Sequence, residues 1–349
     1  MKHNYWRATA QHLMAAMLTL IMALPAIAQE ITANDFRNSR FRGFNIDGVR
    51  NGRSEVDLDA LAKTGANMVR IGVPLKRCSD CASYDIAQPD LATLDTLINA
   101  LATRSIYVLL VLVPMGDERG PFWTSPSLQE SFIDQWKILA ARYKDSPNVA
   151  GFDLLNEPVP PGRTYSDRQS MWLAYAETLG KEIRTVDPSR VLIVESAPDA
   201  TASSFSTMRP LLLDNVVYSF HSYSPFALTH QGVAEEASEL MTYGTTPDMD
   251  VNPQKLFKLL AIVQDFASKH NVPVLVGEFS IVKWAPQGSA KRYISDSLYY
   301  FEAKGWSWMY HDFRGWPGWD AEIDAKLTRR SVDAPVIRIL RAKMSKNKK

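Results

Sequence analysis

Two glutamates fall where chemistry could be done. Phe152-Asp153-Leu154-Leu155-Asn156-Glu157-Pro158 ends an apolar run on an Asn-Glu pair closed by proline. Pro158 cannot continue a strand and biases Glu157 toward an extended backbone. Asn156 sets a donor and an acceptor beside that carboxylate. Taken alone, Asn-Glu-Pro is also a common turn. Val274-Leu275-Val276-Gly277-Glu278-Phe279 ends a second apolar run on another glutamate. A charge at the mouth of a buried strand needs partners, because an unpaired buried charge is costly. Two such residues are a stronger signal than either one. Facing each other they supply an acid and a nucleophile or base, the pair used to cleave a glycosidic bond.

Other chemistries lack their residues. There is no G-x-S-x-G elbow for a serine triad. No G-x-G-x-x-G or P-loop motif marks a nucleotide site, and no cofactor is expected. The six histidines form no ligand-spaced cluster, so no metal is expected. Cys78 and Cys81 are spaced C-x-x-C. In an exported chain that reads as a local disulfide shaping one loop. A thioredoxin-like redox site would need a βαβ context, and zinc two more ligands nearby; neither is present.

The elements that must position the glutamates alternate in type. Strand-like runs are Phe41–Ile46, Asn67–Val73, Ile106–Val113, Val149–Leu155, Val191–Glu195, Val216–Phe220, Val274–Glu278 and Trp306–Tyr310. Amphipathic segments lie between them. Asp90 to Ala102 puts Leu91, Leu94, Leu97, Ile98 and Leu101 on one stripe. Phe132–Tyr143, Met171–Val186, Lys255–Lys269 and Ala290–Lys304 behave alike. Eight strands with crossover helices predict an α/β fold, a (β/α)8 TIM barrel, whose active residues sit at the C-terminal strand ends. No linker or composition shift divides the chain. Ser222–Asn252 is read as a long active-site loop, and the last nine residues, five of them basic, as a solvated tail.

The chain has 349 residues, 39 Lys+Arg against 38 Asp+Glu, and 46% apolar residues. That excludes a disordered chain and argues against a dedicated nucleic-acid binder. Residues 1–28 read as a signal peptide, with Lys2 and Arg7, the apolar run Leu13 to Leu24, and Ala26-Ile27-Ala28 as cleavage pattern. The run is short for a membrane span of ~20 residues. A mature chain of residues 29–349 would be one catalytic domain with 37 basic and 38 acidic residues. It is expected to be a monomer without a membrane span, in the periplasm or outside the cell.

These residues together resemble glycoside hydrolase family 5, in the clan of retaining (β/α)8 glycosidases. The matching stretches are Arg70 in Asn-Met-Val-Arg-Ile, Asn156-Glu157-Pro158, His221-Ser222-Tyr223, Gly277-Glu278-Phe279 and the Trp-rich Gly305-Trp306-Ser307-Trp308. The resemblance implies roles. Glu157 is the acid/base and Glu278 the nucleophile. Asn156 bonds the sugar 2-hydroxyl, and Arg70 and Tyr223 orient Glu278 and keep it ionised. His221 lines the acid/base side. Trp308, with Trp306 as second choice, is the sugar platform. It implies an endo-β-1,4-glucanase type of hydrolysis by double displacement, on a β-linked polysaccharide or oligosaccharide, with carboxyl groups about 5–5.5 Å apart. A β-mannanase, a β-1,3/1,6-glucan exo-hydrolase, a transglycosylase and a non-catalytic carbohydrate-binding protein are the alternatives.

The family's histidine after the third strand is missing from Leu110-Val111-Leu112-Val113-Pro114-Met115-Gly116-Asp117. Asp117 or Glu118 is expected to fill its space. Glu195, His311 and Asp312 end strands and are further candidates for contact with a sugar. Trp123, Trp284, Trp316 and Trp319 fall in expected loops, where rings stack on sugars.

Overall fold

Eight parallel strands close on themselves. They are β1 (Arg42–Ile46), β2 (Met68–Arg77), β4 (Tyr107–Pro114), β5 (Val149–Asp153), β6 (Val191–Glu195), β7 (Val216–Ser222), β8 (Val274–Phe279) and β9 (Ser307–Tyr310). Their order is β1-β9-β8-β7-β6-β5-β4-β2, and β1 pairs with β2 to complete the ring. The two-residue β3 (Tyr84–Asp85) pairs antiparallel with the far end of β2, outside the barrel. The computed structural model describes residues 30–347 apart from 48, 50–51, 79–80, 115–118, 234–236, 238, 245–250 and 327. The signal segment, Asp117 and Glu118 lie outside the described residues.

Period-two alternation sorts each strand into two faces. In β6, Leu192 and Val194 face the helices, while Val191, Ile193 and Glu195 face the axis. The lower interior is apolar. Met68, Leu109, Val191, Ile193, Val217, Leu275 and Met309 meet there with Phe36 and Phe41 of the N-terminal segment, whose 3-10 turn Ala33–Phe36 plugs the base. The larger apolar cluster lies between the outer strand faces and the helices.

The helices are α1 (Glu55–Lys63), α2 (Gln88–Ala102), α3 (Arg119–Thr124), α4 (Pro126–Tyr143), α5 (Tyr165–Arg184), α6 (Phe226–Thr229), α7 (Pro253–His270), α8 (Ser289–Ala303) and α9 (Pro335–Met344). The five helices anticipated from sequence form α2, α4, α5, α7 and α8. Local signals set their starts. Thr164 and Asp167 make a capping box for α5, and Asn252 caps α7 ahead of Pro253. After β6 the crossover carries only a 3-10 turn, Ala202–Thr207. The basic C-terminus is not simply a solvated tail. Of the last nine residues, the first four end α9, where Met344 is buried, and Asn347 donates to the Gly65 carbonyl at 2.7 Å. Cys78 and Cys81 form a disulfide on the loop after β2.

Candidate active site

A bulge aims Glu278. The β7–β8 register runs Phe220 opposite Val276, then His221 opposite Glu278, so Gly277 is the extra residue. A side chain at Gly277 would come within 2.7 Å of the Ser219 hydroxyl, which explains glycine there. The shift turns Glu278 toward the axis although Phe279 packs outward against Trp308 and Tyr310.

Arg70, buried on β2, holds the floor of the site. Its guanidinium has five N–H donors, and five acceptors receive them. Nε donates to Asp153 at 2.7 Å, Nη1 to Asn45 at 3.0 Å and Glu278 Oε1 at 2.8 Å, and Nη2 to Asn156 at 2.9 Å and Glu195 at 2.8 Å. The second oxygen of Glu278 accepts from the Tyr223 hydroxyl at 2.9 Å. Both oxygens of the nucleophile candidate Glu278 are therefore held, each from a different side.

Glu157 stands across the mouth. Its Oε1 lies 2.9 Å from Nδ1 of His221. Its backbone is not extended as Pro158 suggests: φ is +45°, in the left-handed region. The Glu157 N–H donates to Glu195 Oε2 at 2.6 Å, which holds that turn. One carboxylate oxygen of Glu157, one of Glu278 and a ring nitrogen of His221 lie within 4.8 Å of one another. That is the spacing of a retaining pair, well under the ~6.5–9.5 Å that leaves room for water in inverting enzymes.

The electrostatics separate the groups. Burial raises the Glu278 pKa, but the charges of His221, His311 and Arg70, with the Tyr223 hydrogen bond, outweigh it and hold Glu278 at about 2. Burial lowers the pKa of His221; Glu195 and Glu278 outweigh that and raise it well above the ordinary imidazole value. Burial and the neighbouring Glu278 raise Tyr223, keeping it a donor. Asp153 is raised by burial and by the charge of Glu195, against the pull of Arg70.

Glu157, His221 and Glu278 are also the only metal-ligand types close enough to share an ion among the described residues. Their atoms are already engaged, and a cation there would compete with Arg70 for Glu278.

A model of the cellulase family, glycosyl hydrolase family 5, matches residues 31–315. The chain belongs to this family. Among curated relatives, an endoglucanase of Paenibacillus polymyxa is 28% identical over 264 residues, 68% of this chain and 63% of that protein. Endoglucanase 3 of Fibrobacter succinogenes is 33% identical over 208 residues, 56% of this chain and 30% of that protein. The chain thus spans less than two thirds of both relatives. Thermotoga maritima Cel5A, solved in mutant form with cellobiose, superposes with a TM-score of 0.75 at 22% identity, covering 89% of this chain and 99% of that one.

Most of the family-5 residues expected here meet in one place: Arg70, Asn156, Glu157, His221, Tyr223 and Glu278. Trp308 does not join them, and that expectation is corrected. It is fully buried, and its indole N–H donates to Glu302 of α8 at 3.0 Å. Trp306 packs on Phe220 and Tyr300 on the same outer face. The two do share a face, but it is the helix-facing one; Met309 and His311 have the opposite parity. His311 stands at the mouth, with Nδ1 3.4 Å from Glu278 Oε2. An aromatic wall continues from it. Trp319 lies 5.4 Å from His311, 6.0 Å from Tyr223 and 4.9 Å from Trp316, which is 41% exposed. Trp284 closes the row at 5.8 Å from Trp316. Trp123 is buried in α3 instead.

Asn45 and Asp153 went unnoticed in the sequence. Both are polar residues within apolar runs, at axis-facing positions, and that parity was the available signal. On β4 the axis-facing Leu109 and Val111 are apolar, so no polar group takes the missing histidine's place within the strand. Glu195 is wholly buried and cannot touch a sugar.

Proposed function

We propose that this chain is a retaining β-glycosidase of the endo-β-1,4-glucanase type. The observation that carries the reading is the close Glu157/Glu278 pair, with Arg70 and Tyr223 each bonded to one oxygen of Glu278. The names of the curated relatives support the substrate class. Glu278, ionised down to about pH 2, attacks the anomeric carbon as the bond to the leaving oxygen breaks. Glu157 gives that oxygen its proton. Water then attacks the glycosyl-enzyme, Glu157 takes a proton from it, and Glu278 departs. Asn156 presents its amide NH2 to the sugar 2-hydroxyl, since its oxygen is held by Arg70. Trp319 and Trp316 replace Trp308 as the rings on which sugar lies.

Export to the periplasm or medium, and a monomeric state, belong to the same reading. The Ala26-Ile27-Ala28 pattern supports export. Among the described residues no helix is long and apolar enough to cross a membrane.

The test is reducing-sugar release from soluble β-1,4-glucan, mixed-linkage glucan, β-1,3-glucan, mannan and xylan. Release from β-1,4-glucan, with the β-anomer formed first by proton NMR, is expected. First appearance of the α-anomer would overturn retention. Turnover of mannan alone would move the substrate to β-mannan.

A further inference from the structure

Glu195 ends β6 out of reach of substrate, yet three parts of the site converge on it. Its Oε1 accepts from Arg70 Nη2 at 2.8 Å and lies 3.1 Å from His221 Nε2, a charge contact off the line of a hydrogen bond. Its Oε2 accepts the backbone N–H of Glu157 at 2.6 Å. The other ring nitrogen of His221 faces Glu157 Oε1 at 2.9 Å. The result is a row of carboxylate, imidazole and carboxylate, closed into a loop by the Glu157 backbone. The imidazole is 3% exposed, so no solvent competes for either nitrogen.

An ionised carboxylate only accepts hydrogen bonds. A bare Nε2 lone pair beside Glu195 would be repelled, strongly so in a poorly screened interior. A proton on Nε2 turns that repulsion into attraction. We propose that Glu195 is a positioning residue: by keeping Nε2 of His221 protonated, it leaves one proton to be shared between Nδ1 and the Glu157 carboxyl. That is the proton Glu157 hands to the leaving oxygen as the glycosidic bond breaks, and it is regained from the attacking water. Through Oε2 the same residue fixes the left-handed backbone that points Glu157 at the mouth. The proposal rests on the reading of Glu157 as acid/base.

The charged and titratable groups around this row come from five elements. Arg70 on β2 and Asp153 on β5 face Glu195, and His221 on β7 lies between the carboxylates. Glu278 on β8 stands 3.9 Å from His221 Nδ1, and His311, after β9, faces Glu278. Arg70 pairs with both Glu195 and Glu278; the carboxylates nearest the two ring nitrogens of His221 are Glu195, at Nε2, and Glu157, at Nδ1.

Two measurements test this. In the full chain with 15N-labelled histidine, His221 is assigned by its loss in His221→Gln. Its Nε2 is expected to stay protonated between about pH 5 and 8, the range in which an ordinary histidine titrates. An unprotonated Nε2 in the folded protein would overturn the proposal. The second uses Glu195→Gln on two aryl β-cellobiosides. The phenyl leaving group needs acid help and should lose roughly 10²-fold in kcat/KM. The 2,4-dinitrophenyl group needs none and should change little. Equal losses on both would show that Glu195 only supports Arg70 and Glu278, and would overturn the proposal. If Glu195→Gln does not fold, the nitrogen spectrum of the unaltered chain decides. If the unaltered chain cleaves neither glycoside, the functional reading fails, while the spectrum still reports where the proton sits.

Discussion

The base and the mouth of this barrel are built from the same strands by the same alternation, and they do opposite things. On β2, Met68 points into the base and Arg70, two residues on, into the mouth. On β6 the axis-facing residues run Val191, Ile193, Glu195; on β7 they run Val217, Ser219, His221. Below, side chains without polar atoms fill space and bury apolar area, which stabilises the fold. Above, buried charges gain little net stability even when well paired. They persist there as a closed network, in which each donor of Arg70 has an acceptor. Stability and chemistry are thus stacked along one axis, a few residues apart.

Single substitutions can break that division. The largest effect expected is on Glu278→Gln: reducing-sugar release should fall by roughly 10⁴-fold or more, as when other covalent nucleophiles are removed, while the chain stays folded. A variant that lost its fold instead would mean the mouth carries stability. Leu275→Ala, three residues earlier and wholly buried in the base, should do the reverse. Denaturant unfolding should register a loss of about 2–5 kcal/mol, with kcat intact in the folded fraction.

The aromatic residues sharpen the contrast. Trp319→Ala should raise KM about tenfold, equivalent to ~1.4 kcal/mol of binding, with kcat nearly kept. Trp308→Phe should lower thermal stability and leave KM alone, because it loses only a bond to Glu302 and packing against Phe279.

The smallest effect concerns acid stability. Glu278 is depressed from 4.5 to about 2, so its contribution is complete above 4.5 and fades as pH falls toward 2. Asp153 is raised above 3.8, so its contribution is complete below 3.8 and is lost as pH rises through its folded value. Asp153→Asn keeps an acceptor for Arg70 and removes the charge. Thermal melts at neutral pH should therefore find it unchanged or slightly more stable. A clear loss would mean that Asp153 works as an anion balancing Arg70.

The sequence by itself determined the barrel and the two glutamates. The eight runs are short, apolar and bounded, and their alternation with 3.6-period stripes leaves few folds open. Polar residues closing such runs need partners, which is why Asn156, Glu157 and Glu278 could be named from their places, whereas Arg70, His221 and Tyr223 were named through the family resemblance. Tertiary structure decided which face of each strand looked at the axis. Period two says that Trp306 and Trp308 share a side, but a one-residue change of register would exchange the sides, and only closure of the barrel chose. The same closure placed Asn45, Asp153 and Glu195 around Arg70. Their partners lie 25 to 125 residues away along the chain, at distances no local spacing encodes.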